Sequence, residues 1–375
     1  MDPNGLDFDA DDMLDRLRPW IECESPTWDR DAVERMLDLG GQALSDLGAT
    51  IERTPGRLGF AGCVRARLPH ASAEPGILVL GHVDTVHPVG TLRDLPFRRE
   101  GGRAYGPGIM DMKGGVFIAV EALRLLAAAG VPTALPVTVL LTPDEEVGSP
   151  STRGLIEAEA ARHRFVLVPE PAQQDGGLTT GRYAIARYNL RATGRPSHAG
   201  ARLSDGRSAI HEMARQLLAI EAMSASDCTF SVGVIHGGLW VNCVSTLCEA
   251  EALSMAKRQS DLDRGVESML ALAHSDEGVA FEVTRGVTRP VWEPSPTTLA
   301  MVERARHIAR DLGFALSHGS SGGGSDGNFT GAMGIPTLDG LGVEGAGLHT
   351  LDEHIVIESL ERRGKLIAGL LATLS

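Results

Sequence analysis

Ile77-Leu78-Val79-Leu80-Gly81-His82-Val83-Asp84 is an apolar run that ends on a histidine and an aspartate. A continuous aliphatic stretch of this length reads as a strand buried on both faces, the kind found inside a parallel sheet. Two later stretches repeat the design. Val137-Thr138-Val139-Leu140-Leu141 leads into Asp144-Glu145-Glu146, and Phe165-Val166-Leu167-Val168 leads into Pro169-Glu170. Each run delivers a metal-ligand residue type at its C-terminal end. In open α/β sheets that edge is where ligands bind, because the loops there converge on a crevice at the switch in strand order.

Helical spacing separates the runs. Val33, Met36, Leu37, Leu44 and Leu47 predict a helix over Ala32–Leu47, and Gly114–Ala129 predicts a second, stopped by Gly130 and Pro132. Alternating strands and helices imply an α/β domain with a mostly parallel sheet. From Tyr183 the texture changes. Strands are expected at Ala184–Arg191, Thr229–Ile235, Thr246–Ala256 and Val279–Thr284, and helices at Arg207–Met223 and Asp261–Ala273. That β-α-β-β-α-β order predicts an inserted ferredoxin-like α+β domain over 183–294. The α/β pattern resumes with helices at Thr298–Leu312 and Ile357–Leu371, so the first domain is discontinuous, 1–182 and 295–375.

The 375 residues suffice for two domains, and 43% hydrophobic with 22% charged residues is a globular composition. Lys and Arg total 35 against 49 Asp and Glu, a net charge of −14, which argues against nucleic acid or an anionic membrane as partner. Met1–Asp15 is aspartate-rich and lacks the basic and apolar segments of a signal peptide, and no run approaches the roughly eighteen apolar residues of a membrane helix. A cytoplasmic protein is expected. The five cysteines are odd in number and form no Cys-x-x-Cys pair, so they read as reduced core residues.

Five segments carry candidate chemistry. In His82-Val83-Asp84 the imidazole can take a metal while Asp84 accepts its other N–H. Gly106-Pro107-Gly108-Ile109-Met110-Asp111-Met112-Lys113-Gly114-Gly115 offers Asp111 as a carboxylate between two ions, held at a helix N-terminus. A phosphate loop is the rival reading there, but an acid at Asp111 would repel a pyrophosphate. Of the adjacent Glu145 and Glu146, one can ligate metal while its neighbour faces a water, since successive side chains leaving a strand diverge. Glu170, stiffened between Pro169 and Pro171, and His349 complete the set. Imidazole and carboxylate donors suit two divalent ions, zinc first, with cobalt or manganese as substitutes.

Taken in order, these segments resemble the M20 metallopeptidases, most closely their glutamate carboxypeptidase (carboxypeptidase G) branch. The similarity continues through Gly194-Arg195-Pro196-Ser197-His198-Ala199-Gly200, Gly322-Gly323-Gly324-Ser325-Asp326 and Gly334-Ile335-Pro336-Thr337. The resemblance implies a zinc-exopeptidase-type catalytic domain with a lid and dimerisation domain, hence a homodimer. It implies that Asp111 bridges two metals, with His82 and Glu170 on one and Glu146 and His349 on the other. Asp84 would orient His82. Glu145 would act as general base and then general acid, His198 would stabilise an oxyanion, and Asn242 would contact substrate. The implied substrate is a small amide or peptide.

The chain also departs from that branch. Leu253-Ser254-Met255 stands where an Asp-x-Arg is usual, and Ser320-Ser321 where an arginine precedes the glycine run. Methionine cannot clamp a carboxylate, so Lys257, Arg258 or Arg289 would have to compensate, Arg289 being the substrate-binding candidate. A deacylase or aminohydrolase acting on a non-peptide substrate is the alternative within this chemistry. A non-catalytic binding protein is the alternative outside it, disfavoured because every ligand position and the base are occupied.

Overall fold

The computed structural model describes residues 5–276 and 278–375; the first four residues of the aspartate-rich N-terminus lie outside that description. The chain divides into two compact units, Met1–Arg182 with Trp292–Ser321 and Ser325–Ser375, and Tyr183–Val291 with Gly322–Gly324.

In the first unit a six-stranded sheet runs in the order Thr50–Thr54, Cys63–Arg67, Val137–Thr142, Ile77–His82, Phe165–Leu167, Thr337–Leu338. The last four are parallel to one another. The first two, which the sequence reading did not anticipate, form an antiparallel hairpin on the edge. Their alternation is obscured by charge, as Thr50–Thr54 is at most half-buried. Along the central strand, Ile77 and Val79 enter one apolar core while Leu78 and Leu80 enter another with Ile156 and Phe329. Both faces are therefore covered, which is why the strand contains no polar residue before His82.

Helix Gly114–Ala128 is buried almost all round, and helix Ile357–Thr373 packs against it. Helix Ala10–Glu22 begins at Asp9, whose side chain accepts the N–H groups of Asp11 and Asp12. It buries Met13, Leu14, Leu17, Trp20 and Ile21 along one stripe. Trp292 is hydrogen-bonded to Arg182 through the backbone in both directions, so these two residues close the first unit where the chain leaves and re-enters it.

The second unit is one antiparallel sheet in the order Cys228–Gly237, Leu247–Ala256, Ala184–Thr193, Val279–Arg289, His274–Asp276. Omitting the short last strand, the order is second, third, first, fourth, the ferredoxin-like arrangement. Ala184, Ala186, Tyr188, Leu190 and Ala192 alternate onto the face covered by helices Ala209–Ala222 and Gln259–Leu270. The second helix stops at Leu270, short of the expected Ala273, and the short strand His274–Asp276, which was not expected, pairs back onto the start of strand Val279–Arg289. Cys63, Cys228 and Cys248 are buried, Cys23 half-buried and Cys243 exposed, and none forms a disulfide. Cys243 thus departs from the expected core placement because it lies in the exposed turn beside Trp240.

Candidate metal centre

Strand Ile77–His82 ends with His82 in register with Thr142 of strand Val137–Thr142, so the turn Glu145–Val147 begins beside the imidazole. Glu170 follows the neighbouring parallel strand Phe165–Leu167. Asp111 sits in the kinked turn Ile109–Lys113 that opens helix Gly114–Ala128. Gly115 lets that turn approach: a Cβ there would lie 1.8 Å from the carbonyl oxygen of Pro169, beside Glu170. His349 adopts a left-handed φ of 62°, and Ser149, four residues after Glu145, one of 58°. Side-chain residues rarely take this conformation, and two of them lie in segments that shape this site.

The five expected ligands converge. His82 Nε2 is 3.2 Å from Asp111 Oδ1 and 3.6 Å from Glu170 Oε1. His349 Nε2 is 3.2 Å from Asp111 Oδ2 and 3.3 Å from Glu146 Oε2. Each Asp111 oxygen therefore faces a different imidazole. Two donors about 2.0–2.1 Å from a tetrahedral zinc stand roughly 3.3 Å apart, so both groupings have metal-sized spacing. Glu145 Oε2 approaches His82 Nε2 to 3.9 Å.

Donor chemistry sharpens the fit. His82 Nδ1 lies 3.0 Å from the carbonyl oxygen of Asp84, which only accepts, so Nδ1 carries hydrogen. In the neutral ring Nε2 then presents a lone pair toward Asp111 and Glu170. A lone pair facing two carboxylates is repulsive unless a cation lies between them. Without such a cation the cluster has to hold protons in its place. Burial pushes Glu170 well above the usual carboxylate range, and the charge of Asp111 raises it further. Burial also opposes a charge on His82, but the carboxylates of Asp111 and Asp84 outweigh it and raise the ring well above its ordinary value. Hydrogen bonds to Asp111 and Glu146 raise His349 to about 10. A buried acidic cluster of this kind is balanced by divalent cations.

Asp84 faces the His82 ring as expected, its carboxylate 3.4 Å from Nδ1 and its carbonyl closer. The carboxylate also accepts the N–H groups of Glu145 at 3.2 Å and Glu146 at 3.3 Å, and the Thr27 hydroxyl at 2.7 Å. Glu353 was not anticipated. Buried in the first unit, it accepts Gly108, Met110 and Asp111 N–H groups at 3.0, 2.9 and 3.1 Å, with His87 Nε2 2.6 Å away. An acid four residues beyond His349 gave no signal, because its partners are backbone amides some 240 positions earlier. Asp326, from the Gly-Gly-Gly-Ser-Asp segment, accepts the hydroxyls of Ser149 and Thr142 and anchors the turn that carries Glu145 and Glu146.

The other expected residues lie in the second unit. His198 is exposed, and its Nδ1 accepts the N–H groups of Gly200 and Ala201, each at 3.2 Å, so the neutral ring is a donor at Nε2. Asn242 is exposed next to it, its carbonyl accepting the N–H of Ala199 at 3.0 Å. Arg289 is buried at the end of strand Val279–Arg289. Met255 is half-buried on strand Leu247–Ala256, opposite Thr229 and Ile185.

The model of peptidase family M20/M25/M40 matches residues 78–373. The chain belongs to this family. It is 29% identical over 371 residues to carboxypeptidase G2 of Pseudomonas sp. (strain RS-16), covering 96% of this chain and 89% of that one. It is 28% identical over 363 residues to succinyl-diaminopimelate desuccinylase of Azoarcus sp. (strain BH72), covering 88% and 90%. Among solved structures, a tripeptidase from Staphylococcus aureus superposes with a TM-score of 0.76 at 21% identity over 97% of this chain and 98% of its own. An M20 family metallo-carboxypeptidase from Sulfolobus solfataricus gives 0.75 at 15% over 96% and 98%. Both share the fold. The M20 chain is accordingly an enzyme, a metal-dependent hydrolase of amide or peptide bonds. Among the described residues, no helix is long and apolar enough to cross a membrane.

Proposed function

We propose that this M20 hydrolase works with two zinc ions, His82 and Glu170 on one, Glu146 and His349 on the other, and Asp111 between them. The observation that carries this reading is Asp111, whose two oxygens each lie 3.2 Å from a different imidazole. Bound ions would supply the Lewis acidity that polarises a carbonyl and acidifies a water. Glu145 takes the proton from that water and returns it to the departing amine, while Asp84 holds the backbone of Glu145 and the ring of His82. The second unit is read as a lid and dimerisation domain, with His198 donating from Nε2 to the developing oxyanion and Asn242 and Arg289 as substrate contacts.

Glu145→Gln tests the assignment. The variant should keep its metal content and lose roughly 10²–10⁴-fold in kcat; retained turnover would remove Glu145 from the role. A homodimer fits the unpaired edge of strand Cys228–Gly237 and the exposed Leu239, Trp240 and Val241 beyond it. Sedimentation equilibrium at twice the chain mass is the expected result. Free cysteines fit a cytoplasmic setting.

For the substrate, two readings stand. Similarity to carboxypeptidase G2 supports cleavage next to a C-terminal amino acid. Met255 and Ser320 favour a second: a deacylase or aminohydrolase whose substrate lacks the carboxylate that an arginine would clamp.

A further inference from the structure

Beside Glu146 a groove of about 480 Å³ opens on the first unit, walled by Pro26, Trp28, Val86, Pro88 and Val89. Trp28 is 77% exposed, Val86 41% and Val89 56%. An indole and two aliphatic side chains left open together next to a proposed metal ligand are unusual, because apolar groups of this size are ordinarily covered.

Several polar groups around the groove are already engaged. The Thr27 hydroxyl donates to Asp84 at 2.7 Å. Asp29 accepts the N–H of Ala32 at 2.9 Å as the cap of helix Arg30–Ser45. The Thr85 N–H and carbonyl are bonded to Ser25 and Thr27 at 2.9 and 3.2 Å. What remains for a ligand is largely apolar surface, with the exposed Asp29 at its rim and the buried side chain of Glu146 at its end.

The walls are also held in place. Trp28 lies tilted over Phe60 with ring centroids 5.0 Å apart. Pro26 bridges Thr85, and the Gly90 and Leu92 N–H groups donate to the Glu24 carboxylate at 2.7 and 2.9 Å. A surface fixed before binding costs little ordering when it is covered.

We propose that this groove is a substrate subsite that receives an uncharged, planar apolar group on one side of the scissile amide, with the Trp28 indole as its stacking wall. The proposal rests on the hydrolase reading of the adjoining site. The exposed carboxylate of Asp29 at the rim disfavours a second carboxylate on this side. The groove thereby gives positive content to the substitution at Met255: selection by apolar burial in place of a charge clamp.

Two substrate series on the metal-loaded full chain test it. N-acylglycines from acetyl to benzoyl vary bulk on the acyl side, and N-acetyl amino acids from alanine to phenylalanine vary it on the amine side. The wild type should favour the larger member in one series. Trp28→Ala should lower the large-to-small ratio of kcat/KM in that series roughly 10- to 100-fold, the scale of an aromatic group losing its apolar contact. Val89→Glu, at an exposed position that places a charge in the groove, should lower it too, and serves if Trp28→Ala folds poorly. Ratios within twofold of wild type for both variants, or a wild type that favours small groups in both series, would overturn the subsite while leaving the hydrolase reading standing. A wild type that cleaves no member of either series would take both down.

Discussion

The carboxylate of Asp84 accepts the backbone N–H of Glu145 at 3.2 Å, while the Asp84 carbonyl lies 3.0 Å from Nδ1 of His82. One residue therefore fixes the tautomer of a proposed metal ligand and the position of the proposed base. Asp84→Asn would turn one acceptor oxygen into a donor facing an N–H. Metal affinity should fall about 10–100-fold and kcat with it, measured by competition with a chelating dye and by turnover at saturating metal. Unchanged values for both would mean that Asp84 is only a structural acid.

Glu353 makes a parallel prediction. It satisfies three amides of the turn that presents Asp111 and also meets His87. Glu353→Ala leaves those buried donors unpaired, so stability should fall by at least about 1–3 kcal/mol, read from urea unfolding. Glu353→Gln keeps one acceptor oxygen and should recover part of the loss. Equal losses in both variants would mean that the amides contribute little.

Cysteine reactivity follows burial. Burial pushes the Cys63 thiol up to about 12, with the neighbouring charges of Asp144 and Asp326 adding to the effect. The thiolate is the reactive form, so the folded chain should not be alkylated at Cys63 at pH 8, while the exposed Cys243 reacts readily. Unfolding returns Cys63 to its ordinary range and should release it. Mass mapping after a pulse of iodoacetamide checks the order, and labelling of Cys63 before Cys243 would contradict it.

Met255→Arg should raise kcat/KM for substrates with a C-terminal glutamate relative to those without, by about 10-fold if the guanidinium reaches the carboxylate. No relative gain would leave the substrate preference to be set elsewhere.

Much of this site was legible because its residues interrupt strong patterns. His82 is the first polar residue after a strand buried on both faces, and Glu145, Glu146 and Glu170 follow two more such strands. Periodicity located the strands; Asp111 and His349, which no periodicity marks, stood out only as members of a five-segment set, and the family resemblance then assigned them to particular ions. Glu353 and Asp326 were illegible as partners, since they act on backbone amides and hydroxyls far away in the chain. The edge hairpin Thr50–Thr54 and Cys63–Arg67 was missed for a different reason. Its one glutamate, Glu52, pairs across strands with Arg65 and Arg67, and these charges hide the alternation of a half-buried strand.

The central claim is that Asp111 joins two metal sites, and zinc stoichiometry tests it most directly. Dialysed wild type should retain two zinc ions per chain by mass spectrometric metal analysis, His349→Ala one, and Asp111→Asn one or fewer, because its bridging charge is gone. A single zinc in the wild type, or two retained in Asp111→Asn, would contradict the account.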